Sequence, residues 1–280
     1  MSSMSINTNV SAMQAIDNLD NTGSALAKVT EQLSTGLQIN SAGDNPAGYV
    51  ISQDLQFQVN GTNQAVQNAQ GGVNMVQTAN GALQQIQSIL QTMSTLAVAS
   101  ASGATNDTVS LNANEQEFIA LQNEINQIAQ TTTFAGNVLL NGGLSGQTLQ
   151  VGYNCIASNQ IILTITGATI GALGLTNGAL TTNIVTAASA ASALASIQAA
   201  IDTASSMQAA LGSTQIELQG IIASLQVTAT NLTAANASLI DVNFAQATTQ
   251  FTTDQILEQS GVAMLAQAQQ TPALVLKLLQ

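Results

Sequence analysis

Residues 51–97 read ISQDLQFQVNGTNQAVQNAQGGVNMVQTANGALQQIQSILQTMSTLA. Stepping alternately by four and three from Ile51 visits Leu55, Gln58, Thr62, Ala65, Ala69, Gly72, Val76, Ala79, Leu83, Ile86, Leu90, Met93 and Ala97. Nearly all are apolar or small, and the positions between them are mostly Gln, Asn, Ser and Thr. A seam of period 3.5 held over this length predicts a long α-helix packed against partner helices. At 1.5 Å per residue it runs roughly 70 Å, too long to lie across one compact globule of this size. The expected fold is a rod with other segments lying along it.

The chain has 280 residues, 45% of them hydrophobic, which suffices for a core. Aromatics are 2% and Trp is missing, so the core must be built from Ala, Leu, Ile and Val at narrow helix–helix seams. Charge is sparse and one-sided: 14 Asp and Glu, 2 Lys and Arg, no His, a net −12. Nothing in that inventory could neutralise a nucleic acid or an anionic membrane surface. Ordinary globular chains are about 25% charged; here charged residues are 6%, and amides and hydroxyls do the solvating. Cys155 is the single cysteine and cannot form an internal disulfide. Without a histidine it is no catalytic pair either. No stretch has the apolar length of a membrane span, and the first residues show neither the basic n-region nor the apolar core of a cleavable signal. No membrane insertion and no cofactor are expected. An exported chain would leave the cell by another route.

Outward from the long helix, residues 5–33 read as a first helix. Ala12, Ile16, Leu19, Gly23, Leu26, Thr30 and Leu33 form its stripe, and Gly36 is suited to end it in the left-handed region. Asn45 as N-cap and Pro46 at the first helical position start the long helix. After Ser102-Gly103, a third helix carries Leu111, Asn114, Phe118, Leu121, Ile125 and Ile128, antiparallel to the second because its connection is short. Residues 131–183 are Gly-punctuated and β-favouring (Val138–Leu140, Thr148–Val151, Ile161–Ile165), a small hairpin region expected to cap the rod. From Ala187 a second long seam runs through Leu194, Ile197, Ile201, Ala204, Gln208, Leu211, Gln215, Leu218, Ile222, Leu225, Ala229, Leu232, Asn236 and Leu239. A last helix follows Asp241 and is expected to stop near Gln270, before Thr271-Pro272. Phe244, Ala247 and Phe251 form one short stripe on it; Leu257, Gly261, Met264 and Ala268 form a second, out of phase.

These readings define a mainly α fold: an antiparallel helical coiled-coil rod with a small β-hairpin region, plus paired terminal helices. The expected domains are a terminal helical one, 1–43 with 240–280, and a rod, 44–239, carrying the hairpins at about 131–185. Periodicity alone leaves open whether the terminal stripes close an intramolecular coiled coil or meet other copies of the chain.

Several motifs give the arrangement a family. Ile6-Asn7-Thr8-Asn9 resembles the amino-terminal signature of bacterial flagellin. Residues 33–48, LSTGLQINSAGDNPAG, resemble its most recognisable segment, usually written LSSGLRINSAKDDAAG. Gln77-Thr78-Ala79 with Gly81-Ala82-Leu83, and Leu90–Ala97, are similar to the next helix. Thr133-Phe134-Ala135-Gly136 stands where the family has a T-x-F-N-G turn. Leu211-Gly212, Asn231–Ala235, Asp241–Ala245 and Gln255-Ile256-Leu257 resemble its carboxy-terminal half. The likeness covers about 1–140 and 185–280. Basic residues are systematically missing: Gln38, Thr92, Ser94 and Gln127 stand where the family has Arg, and Gly43 where it has Lys.

The resemblance implies a structural subunit, not an enzyme, that polymerises helically into the extracellular flagellar filament. It implies an interface on the terminal helices, here Ile6, Ile16, Leu19, Leu26, Leu33, Phe244, Phe251, Leu257, Met264 and Leu265. The implied partners are copies of the same chain, the flagellar export apparatus with an export chaperone, the filament cap and the hook–filament junction proteins. Thr92, Leu96 and Glu117 match a segment that animal innate immune receptors recognise in many flagellins, weakened here by the lost Arg residues. Two other readings compete. A hook–filament junction protein shares the helical ends but is disfavoured by the carboxy-terminal match. A secreted enzyme on a stalk is opposed by the missing His; Glu115 and Glu117 are two apart and point to different faces, like a solvated surface rather than an acid/base pair. The charge pattern also suits a filament exposed to acid, with almost no ion pairs to lose.

Overall fold

A computed structural model of the chain describes residues 8–102, 107–177 and 180–278. The helices are α1 (Val10–Thr35), α2 (Pro46–Ala101), α3 (Thr108–Thr131), α4 (Ala187–Ile240) and α5 (Phe244–Leu278). Between α3 and α4 lie three antiparallel strand pairs: β1 (Thr133–Phe134) with β2 (Asn137–Val138), β3 (Gln147–Gln150) with β4 (Gln160–Leu163), and β5 (Thr176–Asn177) with β6 (Leu180–Thr181). The third pair is not signalled by the sequence pattern. The chain forms two compact units, 1–57 with 231–280, and 58–230, so that α2 and α4 each pass from one to the other.

The helix starts are set by short polar side chains. Asn45 Oδ1 accepts from the Gly48 amide at 3.0 Å, with Pro46 at the first helical position. Asp107 Oδ1 accepts from Ser110 N at 2.8 Å to start α3. Ahead of α4, Thr186 Oγ1 accepts from Ser189 N at 3.1 Å while the Ser189 hydroxyl accepts from Thr186 N at 3.0 Å, a reciprocal cap. Gly36 ends α1 at φ 75°, as expected of a left-handed terminator.

In the unit of residues 58–230 the predicted seam is buried from Thr62 to Ala97. Its apolar members meet Phe118 and Ile125 of α3 and Ile197, Leu211 and Leu218 of α4. Each Leu or Ile fully withdrawn from water contributes about 1.5–3 kcal/mol. Gln87 Nε2 donates to Ser205 Oγ at 3.1 Å and a Cβ on Gly72 would come 3.2 Å from Leu218 Cδ1, which sets α4 antiparallel to α2; Asn114 Nδ2 of α3 donates to Ser100 Oγ at 3.1 Å.

The hairpin region packs along the flank of this bundle instead of capping it. Asn68 Nδ2 donates to the Gln150 carbonyl at 3.1 Å. α3 holds the returning chain with three polar side chains: Asn126 Oδ1 accepts from Ile170 N, Gln122 Nε2 donates to the Thr182 carbonyl, and Glu115 Oε2 accepts from Ile184 N at 2.6 Å. Leu139, Leu163, Ile165, Leu175 and Ile184 close the core from that side. The glycines of α2 permit the approach, since a Cβ on Gly72 would come 2.6 Å from Leu149 Cδ2.

The terminal stripes differ from the sequence pattern. At the start of α2, Ser52 and Val59 are buried and Ile51 is exposed, so the seam there runs Ser52, Leu55, Val59, Thr62. The Ser52 hydroxyl donates to the Tyr49 carbonyl, which makes its burial cheap. On α1 the covered face is Ala12, Ala15, Leu19, Thr22, Leu26, Val29 and Leu33, leaving Ile16 and Thr30 exposed. On α5 it is one continuous stripe, Ala247, Phe251, Asp254, Glu258, Gly261, Leu265 and Ala268, rather than two slipped ones. The last helix also runs on past Pro272 to Leu278.

Candidate assembly surface

The unit of residues 1–57 and 231–280 is built on α1 against α5. Asn9 Nδ2 donates to the Ala268 carbonyl at 2.9 Å, and a Cβ on Gly261 would lie 3.2 Å from Leu19 Cδ1. Those two points make the helices antiparallel, with small residues letting the backbones approach closely.

Their inner ends are tied by the segment from Thr35 to Gly48. Gln38 N donates to the Ile240 carbonyl at 2.6 Å and Val242 N to the Gly36 carbonyl at 2.9 Å, so the α1–α2 and α4–α5 connections form an antiparallel bridge at Leu37 and Asp241. Asp44 organises the rest. Its Oδ2 accepts from Asn40 N, Ser41 N and the Ser41 hydroxyl, and its Oδ1 sits 2.9 Å from Lys28 Nζ. The Lys28 ammonium, followed by the Ser41 amide, lowers the Asp44 pKa to about 2. Ile39 is buried, and a Cβ on Gly48 would come 2.7 Å from its Cδ1. Asn40, Ser41 and Asp44 therefore shape the backbone of this segment, and Ile39 and Gly48 close its contacts.

The structure divides the expected interface residues into two groups. Leu19, Leu26 and Leu33 of α1 and Phe251 and Leu265 of α5 are half-buried on the covered faces. Ile16 (43% exposed), Phe244, Leu257 (51%) and Met264 (64%) are exposed in the single chain, as are Ile256 and Val262 of α5. Ile6 lies outside the described residues. The sequence pattern does not point to Val29, Asp254 or Glu258; on α1 the alternative 3-4 phasing through Ala15 and Val29 is the signal that does. In the other unit, Thr92 and Glu117 are exposed while Leu96 is partly buried against the core. Cys155 is free and exposed. Among the described residues no helix is long and apolar enough to cross a membrane, and no group of His, Cys, Asp or Glu could hold a metal ion.

Comparison with known proteins agrees with this arrangement. Residues 6–144 match the model of the bacterial flagellin N-terminal helical region, and residues 194–279 that of its C-terminal helical region. The chain is 38% identical to a flagellin of Halalkalibacterium halodurans, over 99% of this chain and all of the relative. It is 35% identical to a flagellin of Bacillus subtilis and 34% to the flagellar filament 33 kDa core protein of Treponema phagedenis, again over 99% of this chain and the whole of each relative. The chain belongs to the bacterial flagellins, the structural subunits of the extracellular filament that drives motility.

Proposed function

We propose that subunits join chiefly through the α1–α5 unit, with 1–43 and 240–280 as the filament's inner-tube domain and 44–239 as a rod domain. The observation that carries this reading is the open apolar ridge of α5. Ile256, Leu257, Val262 and Met264 are all more than half exposed in the single chain, on a helix whose covered face already meets α1. An apolar ridge left in water favours any neighbour that removes it, at about 25 cal/mol per Å². Ile16 and Phe244 extend the same open surface. Before assembly the subunit passes through the flagellar export apparatus escorted by a chaperone, and the filament ends meet the cap and junction proteins; family membership supports these partners. The lost Arg positions support weakened immune recognition at Thr92, Leu96 and Glu117.

Seeded polymerisation tests the reading. Leu257→Glu with Met264→Glu places charges on the open ridge without touching the α1-facing side. The expected result is a helical subunit that no longer pellets as filaments, as with removal of Met1–Leu33 or Asp241–Gln280. Normal filament growth by the double variant would refute an interface on this ridge.

A further inference from the structure

Asn-Gly occurs four times in the chain, at Asn60-Gly61, Asn80-Gly81, Asn141-Gly142 and Asn177-Gly178. Asparagine is a thermally labile residue, because the amide that follows it can attack its side-chain carbonyl carbon. A following glycine puts no side chain in the way and has a backbone free to turn towards the attack. The fold treats these pairs differently. Asn60-Gly61 and Asn80-Gly81 lie inside α2, where each glycine amide is committed to the carbonyl four residues back. Gly61 is covered as well, since a Cβ there would come 2.6 Å from Tyr153 Cβ. Gly178 lies outside the described residues.

Asn141-Gly142 stands in an exposed turn between β2 and β3, outside any helix or strand. The Asn141 side chain folds back along the chain, and its Oδ1 accepts from Gly143 N at 2.8 Å. Between them the Gly142 amide has no hydrogen-bond partner among the described residues, and Gly142 holds φ 89°. The nucleophile is therefore uncommitted, while the carbonyl it would attack is already polarised by a donor. That donor sits where negative charge gathers as the carbon becomes tetrahedral.

We propose that Asn141 is a self-modification site, at which the folded subunit loses ammonia and gains a carboxylate with age. Gly142 N gives its proton to solvent and bonds to Asn141 Cγ; the Cγ–Nδ2 bond breaks, and Nδ2 takes up a proton and leaves as ammonia. Water then opens the cyclic imide at either carbonyl, giving aspartate or isoaspartate, and is the only co-reactant. Each event adds one negative charge to the chain's −12. The isoaspartyl form also lengthens the main chain by one carbon where there is little slack. A Cβ on Gly167 would lie 2.8 Å from Gly142 N, and the Leu140 carbonyl accepts from Ala168 N at 2.8 Å.

The test incubates the purified full-length subunit at mildly alkaline pH, folded in buffer and unfolded in urea. Samples are digested with pepsin in acid, which halts the reaction, and each Asn-Gly peptide is followed by mass spectrometry. Isoaspartate is counted with isoaspartyl methyltransferase and labelled S-adenosylmethionine. In the folded chain, conversion at Asn141 is expected to run about tenfold or more ahead of Asn60 and Asn80, which must wait for α2 to open. In urea Asn60, Asn80 and Asn141 should convert at similar rates. An Asn141 that stays intact in the folded chain while the unfolded chain converts, or that converts no faster than Asn60 and Asn80, overturns the proposal. So does a lead of the same size in urea, because the preference would then lie in neighbouring side chains and not in the fold.

Discussion

Asn9 and Pro272 are linked through a single carbonyl. In an unbroken α-helix the Ala268 carbonyl would accept from the amide of residue 272, and proline has no amide hydrogen. The vacant acceptor is taken by Asn9 Nδ2 at 2.9 Å, from the other end of the chain. The same Asn9 side chain uses its Oδ1 to accept from Ala12 N at 3.1 Å and so caps α1. One amide thus starts the first helix, lets the last one continue through a proline, and fixes their register.

Asn9→Asp keeps the cap and removes the donor. It is expected to lower the stability of the α1–α5 pair by about 1–2 kcal/mol by leaving an unmet carbonyl. Pro272→Ala supplies the missing amide, so the cost of Asn9→Asp should shrink in that background. A double-mutant cycle read by hydrogen exchange should give a coupling of at least about 0.5 kcal/mol. Additive effects would show that the two positions do not share the carbonyl.

The β1–β2 turn has φ 50° at Ala135 and φ 85° at Gly136. A two-residue hairpin with both values positive asks for Asn-Gly, and alanine is strained at the first position. Ala135→Asn is expected to stabilise the chain by about 0.5–1 kcal/mol and to raise Tm; Ala135→Val should lower it. Unchanged melting in both would mean the turn relaxes freely.

Two glycines of α2 should respond oppositely to alanine. At Gly81 a Cβ meets nothing within 4 Å, so Gly81→Ala should gain about 0.5–1 kcal/mol from backbone entropy alone. At Gly61 the same Cβ would lie 2.6 Å from Tyr153 Cβ and 3.1 Å from its Cα. The loop must lift, and overpacking of about 1–3 kcal/mol outweighs the same entropic gain. Chemical denaturation of the two variants should move the midpoint in opposite directions.

Acid should not release the Lys28–Asp44 clasp until far below neutrality. Asp44 is depressed from 3.8 to about 2 in the folded chain, so its contribution is complete above 3.8 and is lost as pH falls through about 2. The stability gap between wild type and Lys28→Met should stay constant from neutral pH to about 4 and close only towards 2. Neutralising all 14 acids would move the net charge from −12 to +2, the 2 bases remaining. Filaments are therefore expected to sediment still after incubation at about pH 3. Dissolution between pH 5 and 3 would refute acid tolerance by charge loss.

The sequence by itself determined the elements whose signal is local or strongly periodic. The seam from Thr62 to Ala97 needs no partner to be recognised, because apolar or small side chains recur among polar ones at a fixed 3.5 spacing. Asn45-Pro46 and Gly36 mark helix ends through the conformations their own backbones prefer. The linker motif of residues 33–48 likewise carried the family in its letters. What only the tertiary structure decided is the phase of the terminal helices. On α1, the stripes through Ile16 and through Ala15 differ by one step in an Ala- and Thr-rich sequence, and covering by α5 selects the one with small residues that permits close approach. On α5 apolarity misleads outright, since Ile256, Leu257 and Met264 stand outside and Asp254 inside. An apolar surface left open on the single chain looks the same in sequence as one that faces a core, and no pattern rule can distinguish the two. Continuation through Pro272 needed a donor from Asn9, and the place of the hairpins along α2 needed bonds such as Asn68 to Gln150; both join residues distant in sequence. Contacts of that kind exist only once the chain has folded, and they settle what local preference leaves degenerate.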